Sequence, residues 1–101
     1  KNFFRVNCGE ILYIEKKGRQ AVICTAHEIY KTNMNMKELW EQLDRQSFVQ
    51  IHLSYIVNLR HIRAVEKNEV LLDTGVRVAV ARSRKQQLKE NYLEYIKRMI
   101  L

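Results

Sequence analysis

The chain has no proline and only three glycines in 101 residues, so it carries few breakers and no Pro-rich or Ser/Gly-rich linker to divide it. One compact domain is expected, since domain sizes cluster at roughly 100 to 150 residues, and this length disfavours an enzyme with separate cofactor and substrate domains. Long apolar runs are missing as well. No stretch approaches the roughly 20 residues of a membrane-spanning helix, and no basic-apolar-small leader is present, so the expected setting is the cytoplasm, with no membrane partner. Cysteine is scarce. Cys8 and Cys24 offer no CxxC and no metal-ligand spacing, so two reduced thiols are expected, with no disulfide framework, no metal and no cofactor. The first residue is Lys1 and not Met, which suggests a fragment of a longer protein. What the chain does have is apolar residues at 47% and charged residues at 29%, within the globular range, and a formal charge of +7 from 18 Lys and Arg against 11 Asp and Glu.

Short β-branched and aromatic runs predict strands at Phe3 to Val6, Ile11 to Glu15, Gln20 to Thr25, Phe48 to Ile51, Tyr55 to Asn58, Ile62 to Glu66, Val70 to Asp73 and Val76 to Ala81. Lys17-Gly18, Lys67-Asn68 and Thr74-Gly75 supply residues that tolerate positive φ, so antiparallel hairpins are expected. Val76, Val78 and Val80 alternate with Arg77, Ala79 and Ala81, the period of a half-buried strand. Two segments have helical spacing instead. Met36, Leu39, Trp40 and Leu43 fall on one face, and Asn35 with Glu38 makes a capping box, predicting a helix at about 35–46. Leu88, Tyr92, Ile96 and Met99 form a second stripe, flanked by Leu93 and Ile100. With Ser83 and Gln86 resembling a cap, it predicts a C-terminal helix at about 84–100. That apolar stripe is wide enough to suggest packing against a second copy or another domain.

The location of the charge is more informative than its sum. Residues 76–101 hold seven cations against Glu90 and Glu94, so five of the seven net charges lie there. Arg82, Arg84 and Lys85 fall where the chain leaves a strand for a helix, an arrangement suited to phosphate. Lys16, Lys17, Arg19 and Gln20 occupy a hairpin tip. Two basic loops on a β scaffold can neutralise a phosphate backbone, with Arg and Gln available for base edges. Between them in sequence, Phe48 to Ile62 reads as a strand, a polar bend at His52 and Ser54, and a second strand ended by a hydrogen-bonding cap at Asn58. Ser54 has no acid partner near it in sequence. No carboxylate pair, metal triad, glycine-rich phosphate loop or nucleophile elbow appears, so an enzyme is not expected.

The segments Ile11-Leu12-Tyr13-Ile14-Glu15, Phe48-Val49-Gln50-Ile51-His52-Leu53-Ser54-Tyr55-Ile56-Val57-Asn58-Leu59, Ile62, and Val78-Ala79-Val80-Ala81-Arg82-Ser83 together resemble the LytTR family of DNA-binding domains over nearly the whole chain. The resemblance implies a mostly β fold, an antiparallel sandwich of small sheets with one short helix and a C-terminal helix, and one domain over residues 1–101 that lacks an N-terminal receiver domain. It further implies sequence-specific binding to promoter direct repeats, as the transcription-regulating output domain of a bacterial two-component response regulator. The implied partners are double-stranded DNA, a second copy on that DNA, and a sensor histidine kinase acting through the receiver. Carried over by position, Lys16, Lys17, Arg19 and Gln20 form one DNA loop and His52, Leu53 and Ser54 a second. Arg82 enters the groove, with Ser83, Arg84 and Lys85 holding phosphates. Leu53 departs from the pattern, which usually has a polar or basic residue there; leucine offers a base only an apolar contact, such as with a thymine methyl group. The charge pattern leaves one alternative, a basic protein- or RNA-interaction module without sequence-specific DNA binding.

Overall fold

The computed structural model describes residues 4–100. Among these residues, eight strands build two antiparallel sheets. The first sheet contains β1 (Ile11–Lys17), β2 (Gln20–Thr25), β3 (Ile29–Thr32), β4 (Phe48–His52) and β5 (Tyr55–Asn58), in the spatial order β3-β2-β1-β5-β4. The second contains β6 (Ile62–Val65), β7 (Glu69–Leu72) and β8 (Arg77–Ala79) in sequential order. Helix α1 (Met36–Gln42) connects β3 to β4, and α2 (Lys85–Ile100) follows β8.

The near-continuous apolar runs of β1, β4 and β5 follow from a sheet covered on both faces. Ile14 lies beside Ile23 of β2 and Ile56 of β5, and these side chains pack on Met36 and Leu39 of α1 together with Phe48. On the opposite face Leu12, Val49, Ile51 and Val57 meet Val70, Leu72 and Val78 of the second sheet and Leu88 of α2. Period-2 alternation along the strands separates the two clusters. The first sheet is therefore the middle layer, and its loops are held from both sides.

Helix α1 begins as expected. Asn35 accepts from the Glu38 N–H at 2.8 Å while the Glu38 carboxylate accepts from the Asn35 N–H at 2.9 Å. Other expectations need correction. Residues 4–7 form no strand, and Phe3 lies outside the described residues. Strand β3, which has only four residues and two exposed apolar or basic positions at Ile29 and Lys31, was not anticipated. Helix α1 stops at Gln42, because the Leu43 backbone has turned extended, and so it is shorter than the expected 35–46. Ser83 does not cap α2: Arg82–Arg84 form a 3-10 turn that runs straight into the helix, preceded by Ala81, which has no side-chain oxygen to offer. Val78 and Val80 are buried, while Val76 stays in the turn before β8.

Asn58 is the one buried polar side chain among the described residues. Its Oδ1 accepts from the Arg60 N–H at 3.0 Å, capping the 3-10 turn Leu59–His61, and its Nδ2 donates to the Ile11 carbonyl at 2.9 Å and the Cys8 carbonyl at 3.3 Å. His61 adds a second tie to the same segment, with Nε2 2.8 Å from the Gly9 carbonyl and Nδ1 3.3 Å from Asp73. The chain entering β1 is thus fastened by side chains that flank β5.

Cys24 and Cys8 are both free thiols, the first buried and the second exposed. Burial pushes the Cys24 thiol above its ordinary range, and burial together with the nearby Cys24 thiol pushes the Tyr13 phenol well above its own. A raised pKa in the folded state means that the unfolded chain loses its proton first. The stability these neutral groups contribute is therefore complete below the ordinary thiol pKa and is lost as pH rises through the folded value. Titration with a maleimide near neutral pH is expected to label Cys8 rapidly and Cys24 only as fast as the fold opens; equal rates would contradict the burial.

Candidate nucleic-acid interface

The three expected loops come from different parts of the chain, and main-chain hydrogen bonds draw them together. The Lys16 N–H donates to the Ser54 carbonyl at 2.9 Å, which fastens the β1–β2 hairpin to the β4–β5 bend. The Ala81 N–H donates to the Ile51 carbonyl at 2.8 Å, which fastens the end of the β8 segment to the same bend from the other side. A register shift between Gln50 and His52 accounts for the second contact. Ile51 has no paired residue across the ladder with β5, and its carbonyl is available to Ala81. The order of the loops is hairpin, bend, strand end, with the bend in the middle.

Lys16 and Lys17 close β1, Arg19 sits in the turn with Gly18, and Gln20 opens β2; all four are exposed. Gly18 supplies the positive φ of 60° that this two-residue turn requires. The Gln20 amide donates to the Asn33 side chain at 3.4 Å, so it is already partly engaged. In the bend, the Ser54 N–H donates to His52 Nδ1 at 3.0 Å. A nitrogen that accepts carries no proton, so this bond selects the tautomer with its proton on Nε2. Its ring also rests against Tyr55, with centroids 5.3 Å apart. Leu53 is 74% exposed at the tip.

The strand end is less uniform than the sequence suggests. Arg82 and Ser83 are exposed, and among the described residues the Arg82 guanidinium forms no hydrogen bond or ion pair. Arg84, half-buried, instead turns its guanidinium toward the Gln50 carbonyl at 3.4 Å. Lys85 donates to Asn68 in the β6–β7 turn at 2.8 Å. Arg77, counted in the same basic quarter, pairs with Glu66 at 3.1 Å and Glu69 at 3.7 Å, and that pairing raises its pKa further. The free charge next to the bend is therefore concentrated in Arg82 and the hairpin, while Arg84 has a structural tether and Lys85 is drawn toward the second sheet.

A groove of about 430 Å³ runs between the hairpin, the bend and the start of α1. Lys16, Arg19, Leu53 and Ser54 line it, together with Asn35 and Lys37 of the α1 region and the apolar Ala21, Met34 and Met36. The reading of the sequence did not include Lys37. Its place on this face depends on the hairpin folding against α1, a contact between segments that no local pattern records. Among the described residues, no group of three or more His, Cys, Asp or Glu side chains is arranged to hold a metal ion, and no helix is long and apolar enough to cross a membrane.

The chain matches the family described as LytTr DNA-binding domain over residues 1–92. It is 34% identical over 74 residues to the CO-responsive transcriptional regulator RcoM of Rhodospirillum rubrum, covering 69% of this chain and 31% of that protein. It is also 27% identical over 90 residues to the sensory transduction protein LytT of Bacillus anthracis, covering 84% and 37%. The transcriptional regulatory protein YpdB of Escherichia coli O6:H1 is 30% identical over 87 residues, covering 80% and 36%. The chain thus spans about a third of the length of these curated relatives. A solved LytTr DNA-binding domain from Bacillus cereus superposes with a TM-score of 0.80 at 24% identity, covering 85% of this chain and 84% of that one, so the two share the fold. With nearly the whole sequence covered by the match, the chain belongs to the LytTr DNA-binding domain family, whose work is DNA binding in transcription regulation and not catalysis.

Proposed function

We propose that this domain binds duplex DNA sequence-specifically, at direct repeats in promoters, through three loops that enter successive major grooves. The observation that carries the reading is the pair of main-chain hydrogen bonds, Lys16 to Ser54 and Ala81 to Ile51, that hold three otherwise separate loops side by side. In this reading Lys16, Lys17 and Arg19 neutralise phosphates, with Gln20 beside them. His52, Leu53 and Ser54 form the central contact, Arg82 reads a base, and Ser83, Arg84 and Lys85 flank it along the backbone. Free cations alone would give salt-dependent, sequence-blind affinity; a guanidinium fork adds the base selectivity.

The wider setting follows from the same reading. The domain is the output module of a cytoplasmic two-component response regulator, controlled by a sensor histidine kinase through a receiver domain, and two copies occupy the paired repeats as a homodimer. The C-terminal helix has surface for such a contact. Leu88 is buried within the chain and the Tyr92 hydroxyl donates to the Ile62 carbonyl at 3.3 Å, while Leu93, Met99 and Ile100 are 58%, 65% and 76% exposed.

Selection of bound sites from a random duplex pool tests the central claim; recovery of no common motif would overturn it. Within the selected complex, Lys17→Ala is expected to weaken specific and scrambled duplexes to the same degree and to lower the slope of log K against log salt by about one unit. A loss confined to the selected site would contradict a phosphate role for Lys17.

A further inference from the structure

The central bend carries a large, exposed apolar side chain at its tip, between the basic hairpin and the exposed Arg82, with Ala21, Met34 and Met36 lying deeper in the groove beside it. Leu53 is 74% exposed, so it contributes little to either core cluster. The backbone beneath it is nonetheless fixed. The Ser54 N–H is bound to His52 Nδ1 at 3.0 Å, the Gln50 amide donates to the Leu53 carbonyl at 3.4 Å, and the Ser54 carbonyl accepts from Lys16 at 2.9 Å. An exposed leucine on a mobile loop could fold back onto the surface. Here the main chain on both sides is tied to adjacent strands, and the side chain projects from a fixed base. Lys16 and Arg19 share the groove beside it, and Arg82 follows the Ala81 anchor on its far side.

A leucine cannot take a phosphate, and it can neither donate to nor accept from a base edge. Placed in a major groove, it finds favourable contact at one chemical group, the 5-methyl of thymine, which is the sole apolar substituent among the four bases' major-groove edges. We infer that Leu53 is a specificity-determining residue that reads a thymine methyl, making an A·T pair the preferred one beneath the central loop. This rests on the proposed entry of the bend into the major groove. The polar groups around it strengthen the discrimination. His52 Nε2–H and the Ser54 hydroxyl fix the depth and angle of the bend, so the leucine meets a given base pair and does not slide between neighbours.

The test uses the selected duplex and changes the methyl alone. Each thymine is replaced in turn by deoxyuridine, which keeps every hydrogen-bonding atom of thymine, and affinity is measured by fluorescence anisotropy at fixed salt. One position in each repeat is expected to lose about three- to fivefold in affinity on loss of its methyl group, the worth of roughly one buried methyl. In Leu53→Ala that position becomes indifferent to the exchange, while the other thymines behave as in the parent. A site that is selected but shows no methyl-dependent position overturns the inference and leaves DNA reading intact. So does a methyl effect that persists unchanged in Leu53→Ala. A protein that selects no site overturns both.

Discussion

Replacing Arg82 with alanine is expected to weaken binding to the selected duplex by about 1 to 3 kcal/mol and to relax the preference at one base pair, with a smaller loss on a scrambled duplex from the missing charge. The size of the effect follows from the difference between Arg82 and the cations near it. Arg84 is tethered at the Gln50 carbonyl, Lys85 donates to Asn68 and Arg77 is paired with two glutamates, whereas Arg82 is exposed and its fork has no partner among the described residues. It follows directly on Ala81, whose N–H is bound to Ile51, so its Cα is held near the bend before DNA arrives. Little of the ordering cost of a guanine contact then falls on the backbone. Arg82→Lys separates charge from geometry. It keeps the phosphate attraction and loses the two-pronged donor, so it is expected to resemble alanine in base preference and the parent in binding random DNA. Anisotropy titrations against both duplexes at one salt concentration would show this. Unchanged specific affinity in Arg82→Ala would remove Arg82 from the reading surface.

Asn58→Ala is expected to act on the fold and not on recognition. The buried Asn58 amide satisfies the Ile11 and Cys8 carbonyls and the Arg60 N–H, and alanine would leave those groups short of partners inside the protein. A stability loss of about 3 kcal/mol is expected, read from urea unfolding monitored through Trp40, with the slope unchanged. Binding of the folded fraction to DNA, measured well below the melting temperature, should stay within about twofold of the parent, because Asn58 lies outside the three loops. A loss of affinity at unchanged stability would reverse this assignment. Asn58 belongs to the same run of residues as His52 and Ser54, yet the structure divides the run into a solvent-facing half and a buried half.

Much of the fold could be read from residue pattern. The capping box of α1 and the glycine turn at Gly18 each have a local cause, and both formed where the pattern put them. The alternation of Val78 with exposed Arg77 and Ala79 was equally local, and Val80 is buried as that pattern required, but Val76, assigned to the same face, is exposed ahead of β8. Strand pairing was not readable in this way. That β5 inserts beside β1, between it and β4, is decided by which apolar faces can be covered together, and such a choice involves segments about 40 residues apart. The site shows the same division. Exposure of Lys16, Lys17, Arg19 and Arg82 follows from basic residues at turns. The capture of Arg84 by Gln50 of the first sheet and of Lys85 by Asn68 of the second depends on partners distant in sequence, and Lys37 joined the face for a similar reason.

The two carbonyls that fasten the bend, those of Ser54 and Ile51, are main-chain atoms, as are their donors on Lys16 and Ala81. Any amino acid except proline can keep such bonds at the donor positions, and any at all at the acceptors. Position and identity of the proposed contacts are consequently set by different atoms in this scaffold. In the proposed mode of binding, exchanging Leu53 or Arg82 would alter the sequence recognised while the frame that spaces those side chains persists. In that mode one architecture would serve different target sequences by single substitutions, each made at a residue outside both core clusters.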